Sequence, residues 1–232
     1  KQGPNLCEVV YTAVTADESI QLELCAFLPR TDDCSRAMHS FKYTFLKDTS
    51  FTRLALYQLG ADGYNDNQYR TMSIGNDCGP ISFELNGQTF EGEFELPLSE
   101  RDEYALTGSR MQRIPVPGRG LFVGFFKAEP QKTNFCKVGP VANRFINLLD
   151  YRAVINGVLC EKPAVNLRVT HDYGVPCIAA ELTVGEEAGS VIKAGSAISG
   201  TVEYINFPVQ KEYYYAVSYT HLRAHETVLD LV

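Results

Sequence analysis

The chain alternates apolar and polar positions in short runs that are separated by turn residues. Between Met38 and Leu46, one side carries His39, Phe41, Tyr43 and Phe45, and the other carries Ser40, Lys42 and Thr44. A period of two is typical of a β-strand with one buried face. The same kind of pattern predicts strands at Glu8–Val14, Ile20–Leu28, Met38–Leu46, Thr52–Leu59, Arg70–Ile74, Ile81–Asn86, Thr89–Leu96, Gly120–Ala128, Phe145–Asn156, Ala164–His171, Cys177–Val184 and Ile198–Phe207.

Turn residues between these segments favour hairpin connections. Asn86-Gly87 and Asn156-Gly157 are dipeptides typical of tight hairpin turns. One flat sheet of this length would leave an apolar face exposed, so the pattern predicts an all-β fold, a large antiparallel β-sandwich with very little helix. A closed barrel is the alternative. A short helix is predicted at Ser99–Leu106, and Pro115–Gly120 is predicted to cross between the sheets.

The segment Thr52–Leu59 is apolar on both faces except for Arg53. A continuous apolar run is typical of a strand covered on both sides, so we expect this strand to be central in its sheet. The cation of Arg53 must then reach solvent or find a carboxylate. The pair Asp32-Asp33 is a candidate partner for Arg53, and Asp33 is also predicted to pair with Arg36.

Composition limits the classes of partner. The 232 residues carry a formal net charge of −7 and no basic run, which argues against nucleic acid as a partner. The sequence contains no apolar stretch near the ~20 residues that span a bilayer, so no membrane partner is expected. Seven cysteines are spread without a C-x-x-C spacing, which argues against a structural zinc site. Disulfides and buried free thiols both remain open.

Both ends of the chain differ from an ordinary domain. It begins at Lys1 without an initiator Met or a leader pattern, so we expect a fragment of a longer protein. The ending Val217–Val232 resembles an in-frame translation of a sequencing adapter; an amphipathic C-terminal helix is the alternative. The expected organisation is therefore one β-sandwich domain over residues 1–216 and a non-native tail over 217–232. His221 and His225 in that tail are set aside as a metal pair.

The loop Gly60–Tyr69 is dense in groups that contact ligands. Its oxygen-bearing side chains belong to Asp62, Asn65, Asp66 and Asn67. Such groups hydrogen-bond sugar hydroxyls, and tyrosine offers a ring for stacking, which predicts ligand binding by Arg53, Asp62, Tyr64, Asn65, Asp66 and Arg70. Calcium is a hard cation that binds oxygen atoms, and Asp62, Asp66 and Asn67 are candidate ligands for it. No other cofactor is expected. A turn whose Asx side chains bond their own backbone is the alternative.

Three residues are candidates for proton transfer. His171 and Tyr173 flank Asp172 at the end of a predicted strand, where a histidine and a tyrosine could take up and return a proton. His39 lies on the aromatic face of its strand and is a weaker candidate, because a histidine on an apolar face is commonly a core residue. Phosphate-binding glycine loops, a G-x-S-x-G elbow and H-E-x-x-H are absent from the sequence.

Two stretches carry a resemblance to a known class of domain. The run from Leu28-Pro29-Arg30-Thr31-Asp32-Asp33 to Arg53-Leu54-Ala55-Leu56-Tyr57-Gln58-Leu59-Gly60-Ala61-Asp62 resembles the supersandwich-type β-sandwich domains of bacterial polysaccharide-degrading proteins. The ending from Lys193-Ala194-Gly195-Ser196 to Glu203-Tyr204-Ile205-Asn206-Phe207-Pro208 is similar as well. The resemblance implies a carbohydrate setting in an extracellular or periplasmic protein with further flanking domains. It carries over no catalytic residue.

The sequence thus leads to three hypotheses about function. The first is an accessory module of a secreted carbohydrate-active protein that binds a polysaccharide or oligosaccharide, or supports that binding. The second is part of the active site of a glycan lyase or glycoside hydrolase. The third is a structural domain that packs against its flanking domains.

Overall fold

The computed structural model describes residue 3 and residues 5–30, 35–62, 71–85, 88–95, 112–116, 119–126, 143–160, 163–172, 175–184 and 189–207. These residues form strands and connecting turns, with no helix among them. The strands are β1 (Leu6–Val14), β2 (Ile20–Pro29), β3 (Ser35–Phe45), β4 (Thr49–Ser50), β5 (Tyr57–Asp62), β6 (Thr71–Asn76), β7 (Gly79–Pro80), β8 (Phe83–Leu85) and β9 (Gln88–Phe90). They continue with β10 (Glu93–Glu95), β11 (Gln112–Pro115), β12 (Phe122–Phe126), β13 (Asn143–Ile155), β14 (Val158–Cys160), β15 (Ala164–Asp172), β16 (Val175–Thr183), β17 (Val191–Ile192) and β18 (Ala197–Phe207).

Two antiparallel sheets account for most of these strands. The large sheet has the order β1-β2-β3-β18-β13-β12-β6-β10, with β14 added to β13 and β7 to β6. The small sheet has the order β11-β15-β16-β5. The predicted all-β antiparallel sandwich is confirmed, because apolar side chains of the two sheets meet in one buried cluster.

The core lies between the inner faces of the two sheets. From the large sheet come Phe41, Met72, Val123 and Ile198, and from the small sheet Leu59, Val165, Leu167 and Leu182. The alternation predicted for β3 is confirmed: Phe41 and Phe45 are buried, whereas Ser40 and Lys42 on the opposite side are exposed.

Part of the large sheet is buried on its outer face as well. Phe122, Phe126, Phe145 and Ile205 point away from the small sheet and are nevertheless buried. This explains why β12 reads as a continuous apolar run, since a strand covered on both faces has no polar side.

The predicted single strand Thr52–Leu59 is wrong. Residues 51–56 are irregular, and the strand β5 begins at Tyr57 and forms an edge of the small sheet rather than its centre. The apolar pattern has another cause, since this irregular segment packs against the core. Leu56 belongs to the buried core, and Phe51 and Leu54 are partly buried against it. Burial of a connecting segment therefore produced the pattern that sequence reasoning assigned to a central strand.

Two predicted connections agree with the structure. β11 ends at Pro115 in the small sheet and β12 begins at Phe122 in the large one, so the chain changes sheets between these residues, as expected for the Pro115–Gly120 stretch. Asn156 and Gly157 both have positive φ, 54° and 81°, and join β13 to β14 as a tight hairpin. The predicted helix Ser99–Leu106 lies outside the described residues.

Four cysteines with described side chains, Cys7, Cys25, Cys78 and Cys160, are free thiols. The described part of the chain also contains no helix with the length and apolar character that a membrane crossing requires.

Strand directions define one end of the sandwich, called here the loop end. In the large sheet, β18 finishes where β3 and β13 begin, because Asn206 pairs with Ser35 and Phe207 pairs with Asn143. β12 finishes where β6 begins, because Phe126 pairs with Thr71. In the small sheet β15 finishes at Asp172 beside Val175, where β16 begins. β5 finishes at the same end, because Asp62 pairs with Cys177.

Candidate functional site

The two sheets are joined near the loop end by a hydrogen bond. Arg144, the second residue of β13, donates from Nη1 to the carbonyl oxygen of Gly60 in β5 at 2.9 Å. Because Gly60 lies close to the end of β5, this bond holds that end of the small sheet against the large one. The segments that leave both sheets here therefore start from neighbouring strand ends.

Several sequence-predicted ligand residues belong to segments that leave the loop end. Asp62 is the last residue of β5 and Thr71 the first of β6, and the predicted Tyr64, Asn65, Asp66, Asn67 and Arg70 connect them. These five residues lie outside the described part of the chain. Within that part, no group of three or more His, Cys, Asp or Glu side chains is placed to hold a metal ion.

Backbone register brings His171 and Asp62 to the same end. Asp62 pairs with Cys177, Cys177 pairs with Thr170, and His171 follows one position further towards the turn. At about 4.8 Å between neighbouring strands, the backbones at Asp62 and Thr170 lie ~10 Å apart. Tyr173, in the turn, lies outside the described residues. Two of the loops singled out from the sequence therefore leave from the same end of the small sheet.

His39 lies elsewhere, between the two sheets. Its Nδ1 atom is 2.6 Å from the hydroxyl oxygen of Tyr57, and the two ring centroids are 5.5 Å apart. Tyr57 and Asp62 are at opposite ends of β5, which at about 3.4 Å per residue places them ~17 Å apart along the strand. The structure thus does not bring His39 together with His171.

Burial sets the protonation states of this pair. It lowers the pKa of His39, because the charged imidazolium loses solvation. Burial, and then the electrostatic influence of Tyr204, raises the pKa of Tyr57 to about 12. Both side chains are therefore neutral near pH 7, and the hydrogen bond joins a neutral imidazole to a neutral phenol.

Arg53 forms an ion pair on the outer face of the small sheet. Its Nε lies 2.9 Å from Oε2 and 3.1 Å from Oε1 of Glu181, and its Nη2 also donates to Oε1. Glu181 is fully buried, whereas the Arg53 side chain is 40% exposed. The hydrogen bond to Glu181 is the main reason that the pKa of Arg53 is raised. The expectation that Arg53 reaches solvent or finds a carboxylate is confirmed, but the partner is Glu181. The predicted partners Asp32 and Asp33 lie outside the described residues.

A second buried carboxylate, Glu203, lies on the outer face of the large sheet. Its Oε1 is 3.1 Å from Nε of Arg36, and its Oε2 accepts a hydrogen bond of 3.2 Å from Asn147 Nδ2. Arg36 thus pairs with Glu203, and the Asp33 predicted as its partner lies outside the described residues. Sequence reasoning missed both Glu181 and Glu203. A lone acid inside an apolar strand, as in Val202-Glu203-Tyr204-Ile205, is the signal that could have found them.

Comparisons with known proteins give distant structural matches only. No family model matches the sequence, and no curated protein matches it. Among solved structures, a variant of the GH36 alpha-galactosidase AgaA of Geobacillus stearothermophilus, in complex with 1-deoxygalactonojirimycin, matches with a TM-score of 0.46 and 6% identity over 88% of this chain. Another structure of AgaA matches with a TM-score of 0.38 and 7% identity over 90% of this chain. The chain spans 24% and 29% of those two chains. Matches this distant carry no argument about function.

Proposed function

We propose that this chain is an accessory β-sandwich module of a carbohydrate-active protein, and that it binds a polysaccharide, or supports its binding, at the loop end. The observation that carries the proposal is the convergence of strand ends there. The Asx- and Tyr-rich loop after Asp62 and the turn after Asp172 both leave the small sheet at that end. The carbohydrate setting rests on the resemblance of the sequence to supersandwich-type domains.

The chemistry of the loop suits a sugar ligand. Asp62, Asn65 and Asp66 offer acceptors and donors for hydroxyl groups, while Tyr64 offers a ring face on which a pyranose can stack. Arg70 adds a cation, which would favour an acidic polysaccharide. Calcium bound by Asp62, Asp66 and Asn67 would order the same loop, and its effect can be measured alongside the sugar.

Arg53 has a more limited part in this proposal. Its guanidinium already bonds Glu181 through two nitrogens, so a ligand could use only the solvent-exposed portion of the group. Its partner Glu181 pairs with Gln58, which lies ~14 Å from Asp62 along β5. We therefore place the main binding contribution on the loop after Asp62 and treat Arg53 as a secondary contact for a more distant part of a long ligand.

A thermal-shift experiment tests the proposal. The full chain is melted with acidic and neutral polysaccharides, with and without Ca²⁺. A ligand that binds only the folded state stabilises it by mass action and so raises the Tm. At a ligand concentration one hundred times Kd, the free energy of unfolding rises by about 2.7 kcal/mol. The shift should be lost in Asp66→Ala and kept in Asp77→Ala, because Asp77 is an exposed acid in the turn between β6 and β7, at the opposite end. Equal loss in both variants would contradict the placement.

A catalytic function at the same end is the alternative. It is favoured by the register that sets the backbone of His171 near that of Asp62. Part of a lyase or hydrolase active site would then use His171 and Tyr173 in proton transfer, with no contribution from His39, whose Nδ1 bonds Tyr57. Cleavage of a bound polysaccharide that is lost in His171→Ala and in Tyr173→Phe, but kept in His39→Gln, would establish this alternative.

A third outcome is defined by the same measurements. If none of the polysaccharides shifts the Tm, with or without Ca²⁺, the binding proposal fails. The chain would then be a structural module that packs against flanking domains. An extracellular or periplasmic location belongs with the carbohydrate proposal and would lose its support in that case.

A further inference from the structure

The edge strand β1 exposes apolar side chains on both of its faces. Val10 is 68% exposed on one face, and Val9 and Tyr11 are 53% and 55% exposed on the other. Leu6 and Val14, at the two ends of the strand, are exposed as well. Large side chains of this kind are seldom grouped on a free surface unless they bind something.

One face of this hairpin continues the core face of the large sheet. Leu24 pairs with Phe41 of β3 and with Tyr11 of β1, so Val9 and Tyr11 point to the same side as the buried Phe41. Their exposure means that the small sheet does not extend over this part of the large one. The apolar surface of Val9, Tyr11 and the neighbouring Leu28 is therefore left open.

None of the described strands pairs with the outer edge of β1, and this edge also lacks the features that usually prevent strands from pairing. β1 pairs with β2 in a continuous register from Leu6 to Val14, without a bulge. It contains no Lys, Arg or Pro, and Glu8 is its one charged residue. Natural edge strands are commonly protected by such residues or by bulges, because unpaired backbone groups bind other strands.

We propose that β1 pairs antiparallel with β1 of a second copy of this chain, about a two-fold axis at Val10. The sequence of the strand is complementary to itself in that register. Leu6 faces Val14, Val9 faces Tyr11 and Val10 faces Val10 of the second copy. Apolar and aromatic pairs directly opposite each other stabilise antiparallel strands. The pairing joins the two large sheets into one continuous sheet.

Charge supports a second copy as the occupant. In this register Glu8 faces Thr12 of the second copy, so the two Glu8 carboxylates do not face each other. They are separated by four residues along the strands, about 14 Å, which exceeds the ~8 Å Debye length at physiological salt. A shifted register that aligned Glu8 with Glu8 would be unfavourable, so the charge excludes that alternative.

The size of the contact predicts its strength. A nine-residue edge buries less than the ~800 Å² per partner of a standard interface. We therefore expect a reversible dimer in the micromolar range rather than a permanent one.

Sedimentation equilibrium of the full chain over a range from micromolar to several hundred micromolar measures this dimer. Val10→Lys places two lysines at the axis and should weaken dimerisation at least tenfold. Val158→Lys is the matched control, because Val158 is 63% exposed on β14 and the substitution is the same. Circular dichroism and Tm should show both variants folded, since both positions face solvent.

Charge variants test the register itself. Thr12→Glu places a carboxylate at position 12 of each copy, directly opposite Glu8 of the other copy, and should weaken the dimer about three- to tenfold. Adding Glu8→Lys to Thr12→Glu converts both of these pairs to opposite charges and should restore the affinity or increase it. Within the monomer, Glu23 faces position 12 in both variants, so its effect cancels in the comparison.

Three results would overturn the proposal. A chain that stays monomeric over the whole range has no such pairing, and its open hairpin then serves another partner. Equal weakening by Val10→Lys and Val158→Lys would indicate non-specific association. Failure of Glu8→Lys to rescue Thr12→Glu would exclude this register. None of these results depends on polysaccharide binding.

Discussion

At the scale of single residues, the most specific predictions concern polar groups between the two sheets and on their outer faces. The His39–Tyr57 bond and the Arg53–Glu181 pair each bring one residue of the segment 53–57 against a distant strand. Tyr43 does the same from β3, because its hydroxyl donates to the carbonyl oxygen of Leu56 at 2.9 Å. These side-chain bonds add to a backbone bond in fixing the segment, because Leu56 N also donates to the carbonyl oxygen of Leu182 at 2.8 Å.

The His39–Tyr57 bond makes stability depend on pH. The pKa of His39 is lowered in the folded state, so below about pH 6.5 the unfolded chain binds a proton that the folded chain does not. The stability that neutral His39 provides is full above that pH and is lost as the pH falls towards the folded pKa. Partial exposure of His39 makes the effect modest. Tyr57, which bonds His39, is neutral throughout this range.

Urea unfolding at pH 7.5 and pH 5.8 measures this dependence. The natural chain should lose more stability between the two values than His39→Gln, which cannot titrate but can still bond Tyr57. Carboxylates contribute equally to both proteins and cancel in the difference. An identical pH dependence in the two proteins would show that His39 has the same pKa folded and unfolded.

The Arg53–Glu181 pair should be costly to break from one side. Arg53→Ala removes the guanidinium that is paired with a fully buried carboxylate, and we expect a loss of about 2 kcal/mol. This is below the range for fully buried pairs, because water reaches Arg53. Glu181→Leu added to Arg53→Ala should recover much of the loss, since neither charge of the pair is then present.

Lys42→Ala is the control for that measurement. Lys42 Nζ lies 3.3 Å from Glu23 Oε1, and both side chains are about half exposed, so the loss should be below about 0.5 kcal/mol. Unfolding free energies from urea titration give both values. A loss from Arg53→Ala as small as that from Lys42→Ala would mean that Glu181 is solvated.

At the scale of elements, close contact between strands determines where glycine is required. Gly200 of β18 lies beside a register shift in β13 between Leu148 and Asp150. A Cβ atom at Gly200 would lie 2.8 Å from the backbone oxygen of Asp150 and 2.8 Å from the ring of Phe41. The backbone oxygen cannot move aside easily, so the glycine permits the two strands to approach at the shift.

Gly200→Ala should therefore destabilise the protein by about 1–3 kcal/mol. For a chain of this size, that corresponds to a fall in Tm of roughly 2–12 °C. Gly60→Ala is the matched control, because nothing lies within 4 Å of a Cβ at Gly60 in β5. Its Tm should remain close to that of the natural chain. A similar fall in both variants would point to a general strand effect rather than a contact at Gly200.

At the scale of the whole molecule, the two proposals use different surfaces. Polysaccharide binding is placed on loops that follow β5 and β15, whereas self-association uses the free edge of β1, at the far side of the large sheet. Val10→Lys should accordingly weaken the dimer without changing a ligand-induced shift in Tm. Asp66→Ala should remove that shift without changing the dimer. The two-fold axis reverses the strand direction of the second copy, so the two loop ends of the dimer point in opposite directions and we expect dimerisation to leave ligand affinity unchanged.

The sequence by itself determined the strand content, the sandwich class and most strand positions. Alternation with period two in β3 and β18, and turn dipeptides such as Asn156-Gly157, are local signals that survive in the fold. The sequence also indicated that Arg53 must reach solvent or find a carboxylate, because an unpaired buried charge is too costly. Each of these features depends on residues that are close in the sequence, or on the free-energy cost that any unpaired buried charge carries.

Only the tertiary structure decided which partners meet. Glu181 is 128 residues from Arg53 and Glu203 is 56 from Asn147, separations at which a pattern carries no information about pairing. The same holds for β5. The apolar residues that precede it indicated a central strand, whereas β5 lies at an edge of the small sheet. Apolar periodicity records that a side chain is buried, and it does not record which surface buries it. For the same reason, the open face of β1 became visible only once the extent of the small sheet was known.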